Sequence, residues 1–499
     1  MSTLRRFFDR YDYKWLVASA FMFGVFMDMM DTTILNVALP RLSAEFQASP
    51  AALEWVITGY LLSLAIWVPA SGWIGDRFGT KRTFLFAVGA FVASSALCGM
   101  AWSIESLTIF RVLQGVGGGM MTPVGMAMLY RAFTVQERAR ASAVLTIPTS
   151  IAPMAGPLLG GFLVDHGIWR WIFFVNLPVG AACFLFGLVA LREHREETAG
   201  PFDPLGFILS GLGLAGVLMA LSRGPDYGWT TPSVLLPGIG GIICFALLVV
   251  VERRTPTPML DLGLFHDRMF RIGIITAFMA NAALSGVLFL MPLYLQELHG
   301  VSALESGLTT FPQTIGSLIM TQFTARAYSR IGPRLNMIIG TLGLAITSGL
   351  FLLLGLETNL WWIRALLFVR GTFNAFIFVS AQAAAYARIP REKIGRGASV
   401  YQTQRQVAGA VGVALLATVF VSRAPAATIG FVAEAARPGT LAAWHDACLI
   451  AGVLALVGAA FAFRIRRQDS YFAAHGHELE EGAPGQERKP VLTRAVRRA

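Results

Sequence analysis

The sequence predicts an all-α polytopic membrane protein with fourteen transmembrane helices, on three observations. Hydrophobic residues make up 55% of the 499 and charged residues 14%, where soluble domains carry about a quarter charged. Apolar runs of roughly 20 residues recur along the whole chain, each long enough to cross a bilayer. The runs lack the alternation of a barrel strand, and only helices or closed barrels satisfy their backbone polar groups in hydrocarbon.

Windows of about 19 residues place the spans over 15–39, 51–74, 84–103, 106–130, 141–164, 171–191, 204–222, 233–251, 269–296, 303–327, 335–356, 361–387, 398–421 and 441–463. The first holds Ala18-Ser19-Ala20, which looks like a signal-peptidase site, but the apolar run continues past it and the span is expected to stay uncleaved. The second closes in a turn, Gly72 to Arg82, and the fourth carries Arg111, Gln114, Gly115 and Gly118 at helical spacing. The fifth is punctuated by Pro148, Pro153 and Pro157, with Gly156 and Gly160 as a small-xxx-small pair and Gly161 beside it, so it must bend and pack closely. A charged stretch over 192–203, ending in Pro201 and Pro204, reads as a linker.

Beyond it come a pair of spans and then six more. The two groups of six echo each other: Arg326 to Arg334 matches the basic, Gly-bearing turn of Gly72 to Arg82, and Arg370-Gly371 matches Arg111 with Gly115. The expected organisation is therefore a six-helix bundle over 1–192, two inserted helices with linkers over 193–265, a second six-helix bundle over 266–464, and a polar tail over 465–499 whose composition predicts disorder.

The net charge of +11 follows topology rather than nucleic-acid binding. With the N-terminus inside, and Arg271, Arg326 and Arg364 near span ends counted with the loops they adjoin, cytoplasmic segments hold 31 of the 40 Lys and Arg residues, outer loops hold 6 and span interiors hold 3. Both termini are then cytoplasmic. Cys98, Cys183, Cys244 and Cys448 fall inside apolar spans without CxxC spacing, so they read as packing residues rather than a metal site or disulfide framework. His475 and His477 in the tail make a poor metal site. Gly115 to Gly119 lacks the final Gly of GxGxxG, and Gly79-Thr80-Lys81 lacks the Walker order; with no HExxH or GxSxG, neither ATP hydrolysis nor another hydrolase is signalled.

Ionisable residues inside a bilayer cost about 2.5–3.5 kcal/mol each on insertion scales, so those present need a reason. Asp28 and Asp31 share one face of the first span. Two neighbouring desolvated carboxylates suit reversible proton binding, and suit a cation equally. Arg111 is placed to tune a nearby carboxylate, or to form a structural ion pair. Arg370 with Asn374, and Arg405 between Gln404 and Gln406, are further intramembrane candidates, Arg405 shallow enough to snorkel. Gln114, Asn374 and Arg370 are the residues expected along a substrate pathway.

These motifs resemble the major facilitator superfamily, and within it the fourteen-span drug:proton antiporter branch, the EmrB/QacA group, over nearly the whole chain. Gly72, Asp76, Arg77, Gly79 and Arg82 match the loop signature after span 2, whose Asp and Arg the resemblance implies to latch the two halves. Arg111, Gln114 and Gly115 match the span-4 signature, whose Arg is implied in proton coupling, and Gly156-Pro157-Leu158-Leu159-Gly160-Gly161 matches the antiporter signature. Met30 to Pro40 resembles the span-1 signature, with Met30 where Leu is usual and Asp31 as the family acid; Trp169 to Gly180 is similar to the run before span 6. Asp28 lies outside these motifs.

The resemblance implies the major facilitator fold and alternating access. It implies export of amphipathic compounds in exchange for protons, with no cofactor beyond the proton gradient. The expected setting is the cytoplasmic (inner) membrane of a bacterium, and a periplasmic adaptor protein enters only by analogy with relatives. A dedicated exporter of a lipid, peptide or metabolite, an importer of the same fold, and a non-transporting receptor are the alternatives.

Overall fold

A computed structural model describes residues 10–48, 50–134, 137–196, 200–255, 258–424 and 437–466. The tail from 467 onward, with His475 and His477, lies outside the described residues. The first six helices are α1 (Tyr13–Phe46), α2 (Pro50–Phe78), α3 (Thr80–Gly99), α4 (Ile104–Ala132), α5 (Arg138–Asp165) and α6 (Trp171–Ala190, with a turn at Val175). They are followed by α7 (Pro204–Tyr227) and α8 (Pro232–Glu252). The last five are α9 (Arg268–Leu293), α10 (Ala303–Leu350), α11 (Leu360–Tyr386), α12 (Ile394–Arg423) and α13 (Arg437–Phe463).

Twelve helices among the described residues are long and apolar enough to cross a membrane, against fourteen expected. α5, 28 residues long, is not among the twelve, and α10 enters them once. At 48 residues α10 would reach about 72 Å at ~1.5 Å per residue, far beyond a hydrocarbon core of about 30 Å. It breaks at Gly332, whose φ of 78° and ψ of 167° leave helical space just before Pro333. The break divides α10 into α10a (303–331) and α10b (333–350), where the sequence places two separate spans.

α3 starts at Thr80, four residues before the expected span, because the linker caps it. The Glu193 carboxylate accepts from the amides of Lys81 (3.0 Å) and Arg82 (3.3 Å), and the His194 carbonyl accepts from the Thr80 amide at 2.9 Å. Those contacts satisfy first-turn donors that would otherwise have no partner, so a charged stretch that hydropathy discards is helical.

Within α1–α6 the closest packing is α2 on α4, α1 on α5 and α3 on α4; within α9–α13 it is α10 on α11, α9 on α12 and α13, and α10 on α13. The two groups meet along two seams, α2 and α4 against α12, and α5 against α10 and α11. α7 packs on both α2 and α12 with α8 behind it. Leu236, Ile242 and Val250 of α8 are exposed, an apolar face for lipid.

The apolar cores are not distributed evenly. Phe21, Tyr130, Tyr386 and Tyr401, from both groups, share one cluster near the α2–α3 and α11–α12 turns. Toward the other end, Ile34, Leu42 and Trp169 form a cluster of the first group alone, while Tyr294, Phe351 and Trp444 form one of the second. The halves are therefore joined at the face that carries the basic turns.

Candidate functional site

α1 delivers Asp31 into the interior of the first group, 1% exposed, where three side chains converge on it. Arg111 Nη1 from α4 donates to Oδ2 at 2.5 Å, and Gln114 Nε2, one helical turn further, donates to Oδ1 at 2.9 Å. Asn176 Nδ2 from α6 donates to Oδ1 at 2.8 Å and also reaches Ser95 Oγ at 3.1 Å. Gln114 Oε1 in turn accepts from Arg111 at 2.7 Å, which fixes the guanidinium from two sides. Burying such a pair is tolerable only when both charges are matched and hydrogen-bonded, as here. The sequence groups Asp31, Arg111 and Gln114 but does not single out Asn176 as a site residue; it stands 145 residues from Asp31 and carries no charge.

Asp28, one turn earlier on α1, has a different environment. It accepts a hydrogen bond from Tyr60 Oη of α2 at 2.6 Å, and lines a small cavity at the seam with α12. The Tyr60 ring lies 4.1 Å from the Arg111 guanidinium, so one aromatic side chain touches both acids' surroundings. Gly118 makes room for this: a Cβ there would lie 2.8 Å from Tyr60 Oη and 3.2 Å from Asp28 Oδ1. Gly115 and Gly119 face α2 and Gly117 faces α3, so the glycine run is a helix-packing surface.

At the α2–α3 turn Asp76 is buried and accepts from Arg131 Nη2 of α4 at 2.8 Å, with Glu196 of the linker 3.3 Å from the same nitrogen. The carboxylate also abuts α12, since a Cβ on Gly395 would lie 2.7 Å from Asp76 Oδ1. Ser71 and the Gly72 amide both contact Ser399 Oγ of α12, at 3.2 and 3.0 Å. The signature turn thus meets the second half through Ser71, Gly72 and Asp76. Arg77 is exposed, and Arg82 is exposed beside Glu193 at 3.6 Å. Gly79 caps α3 with φ of 101°, a conformation that favours glycine. Arg138 of α5 donates to the Tyr386 carbonyl of α11, and Tyr130 stacks on Tyr386 with centroids 4.2 Å apart.

In α5, Gly156 lies against α1, where a Cβ would approach Thr33 Cβ to 2.9 Å, and Gly160 is buried. Gly161 has nothing within 4 Å of a Cβ position, so it is no packing glycine; it sits one residue round the helix from the buried face. The Pro157 side chain lies outside the described residues.

Arg370, expected on the substrate pathway, is turned away from the cavity. Its guanidinium is fully buried between α9 and α10b, where Nη1 donates to Ser348 Oγ at 2.8 Å and Nη2 to the Ala283 carbonyl at 3.4 Å. Asn374, one turn on, is half-buried and does not line the cavity either. Arg405, expected to snorkel, does line it, together with Gln402 and Gln406.

Residues 21–413 match the model of the Major Facilitator Superfamily. The chain is 31% identical over 402 residues to the MFS-type transporter YhcA of Bacillus subtilis, covering 81% of this chain and 76% of that protein. It is 33% identical over 401 residues to a putative multidrug resistance protein MdtD of Pectobacterium atrosepticum, covering 80% and 85%. To a multidrug resistance protein B homolog of Mycobacterium tuberculosis it is 34% identical over 421 residues, covering 83% and 78%. The crystal structure of the human organic anion transporter MFSD10 shares the fold, with a TM-score of 0.62 at 16% identity over 89% of this chain and 99% of that one. With its lipid-facing helices, two seamed helix groups and motif residues converging on buried acids, this chain is a multi-pass membrane transporter, not an enzyme, and it belongs to the Major Facilitator Superfamily.

Proposed function

We propose that the protein exports amphipathic compounds in exchange for protons, by alternating access of its two helix groups about the central cavity. The observation that carries this reading is the fully buried Asp31–Arg111 pair, linked across the Tyr60 ring to Asp28 at the cavity. A proton arriving on Asp31 removes the charge that Arg111 matches, so the guanidinium must find another partner, and Tyr60 and Asp28 lie next to it. Proton occupancy is thereby transmitted to the cavity wall. Each charge crossing a potential of 100 mV gains about 2.3 kcal/mol, enough to drive uphill export. Relatives named for multidrug resistance support drugs or toxic compounds as cargo.

In this reading the chain crosses the cytoplasmic membrane of a bacterium fourteen times, with α5 and both arms of α10 as passes and both termini cytoplasmic. The excess of Lys and Arg on the corresponding loops supports that orientation. The joined face is then cytoplasmic, and the conformation is closed to the cytoplasm. A periplasmic adaptor would dock on the opposite face.

Dye efflux from proteoliposomes with an imposed pH gradient tests the reading. Wild type should transport only with the gradient, and Asp31→Asn should lose that dependence by at least tenfold in rate. Normal gradient-driven efflux by Asp31→Asn would overturn the assignment of Asp31, and a wild type indifferent to the gradient would overturn proton antiport.

A further inference from the structure

At the end of the molecule that carries the basic turns, three acids lie buried around the inserted pair: Asp203 ahead of α7, Glu252 at the close of α8, and Asp261 in the segment leading to α9. We propose that Glu252 and Asp203 form a proton-binding site, in which protonated Glu252 donates to Asp203, and that this proton clasps the α7–α8 hairpin to the second half of the protein. The inference is independent of which compound or coupling ion is carried, and Asp28, Asp31 and Arg111 take no part in it.

Each acid commits one oxygen to a backbone amide. Asp203 Oδ1 caps α7 by accepting from the Gly206 amide at 2.8 Å, while Pro204 needs no partner in the first turn. Glu252 Oε1 accepts from the Leu260 amide at 3.0 Å, and Asp261 Oδ1 from the Gly263 amide at 2.9 Å. The second oxygens differ. Asp261 Oδ2 meets the Lys393 ammonium, just ahead of α12, at 2.7 Å. Asp203 Oδ2 and Glu252 Oε2 have no hydrogen-bond partner among the described residues, though both residues are more than nine-tenths buried. The two carboxylates flank one glycine: a Cβ on Gly206 would run into Asp203 Oδ2 and lie 3.1 Å from Glu252 Oε1.

Two orphaned acceptors side by side lack a donor, and a single proton supplies it by turning one carboxylate into a carboxylic acid. The charges around the pair select Glu252 to carry it. Asp203 sits at the N-terminus of α7, where the helix dipole favours the anion, and Asp261 has Lys393. The charges acting on Glu252 are those of Asp203 and Asp261, both acids. From α2 this end of α7 meets the rings of Trp73 and Trp67, packed on Phe202 and Phe207, and Arg253 and Arg254 are exposed. Like charges in one recess oppose each other's ionisation, so the proton leaves only as pH rises. The effect reaches across the halves, because α7 packs on both α2 and α12, and the segment that Glu252 holds through Leu260 is the one that Asp261 fastens to Lys393. With the proton bound the hairpin is tied down at this end; without it the two carboxylates repel and the tie loosens.

Spin labels at Leu205, exposed in the first turn of α7, and at Glu392, exposed just before Lys393, read the tie in the full chain in lipid nanodiscs between about pH 6 and about pH 9. In wild type the distance should be short and narrowly distributed at the acid end and should lengthen toward the alkaline end. Glu252→Gln, whose amide is a permanent donor to Asp203, should keep the short distance throughout, and Asp203→Asn, a permanent donor from the other side, should flatten the titration likewise. A wild-type distance indifferent to pH, or a folded Glu252→Gln that titrates as wild type does, would overturn the proposal. Recovery of the short distance at the alkaline end on adding millimolar Mg2+ would assign the pair to a metal ion and overturn it equally. If Glu252→Gln does not fold, as judged by gel filtration, the titration of Asp203→Asn decides the matter alone. Neither variant touches Asp31, so failure of proton antiport in vesicles and failure of this clasp are separate results.

Discussion

Gly72 of α2 and Gly395 of α12 meet backbone to backbone: a Cβ built on Gly72 would lie 2.6 Å from the Gly395 carbonyl oxygen. The two halves are thus in contact at a spot that tolerates no side chain. Gly72→Ala should part α2 from α12 there, at the roughly 1–3 kcal/mol of an overpacked contact. We expect a spin-label distance between the α2–α3 and α11–α12 turns to lengthen, and efflux to fall at least tenfold. An unaltered distance distribution would show that the closed face does not depend on this contact.

Removing one member of a buried ion pair strands the other, at about 3–5 kcal/mol. Asp31→Asn and Arg111→Gln should each lower the unfolding temperature clearly, and the double variant should be less destabilised than the sum of the two. Thermal unfolding of the four proteins in the same detergent measures the coupling. Simple additivity would mean that the 2.5 Å contact contributes little beyond its separate hydrogen bonds.

Asn176 and Tyr60 show where sequence reading stops. Asp31, Arg111 and Gln114 are legible because charges in apolar spans stand out and because three residues make nearly one helical turn. Asn176 and Tyr60 complete the same network with neutral side chains on α6 and α2, and nothing in hydropathy marks them. Arg370 illustrates the converse: its charge is conspicuous, but the rotation of α11 decides whether it faces the cavity or Ser348, and no local pattern reports that rotation. The helices themselves are legible from apolar runs. The cap that Glu193 places on α3 and the break at Gly332 depend on backbone contacts and dihedral angles that a hydropathy window averages away.

Outside the spans, Glu137 between α4 and α5 is held below the ordinary carboxylate range. Partial burial pushes it up, but the Lys14 ammonium at 2.7 Å and hydrogen bonds from Thr134 outweigh that. A depressed carboxylate adds stability above its unfolded pKa, and this is lost as pH falls through the folded value. Below about pH 4.5, wild type should therefore lose stability more steeply than Glu137→Gln. Unfolding temperatures followed from pH 7 to pH 3.5 check this, and parallel curves would count against the pair.

α7 lies along the seam between α2 and α12, and α8 stands outside it. At the far end the strap is fastened to both sides, with Arg223 over the Trp55 ring at 5.4 Å and the Trp229 indole donating to Thr418 at 2.9 Å. A transporter built from two repeats alone would offer the surrounding lipid two equivalent lateral windows, one at each seam. With the inserted pair lying over the α2–α12 seam and the seam of α5 against α10 and α11 packed by the two helix groups themselves, the two sides of the protein present unlike walls to the bilayer.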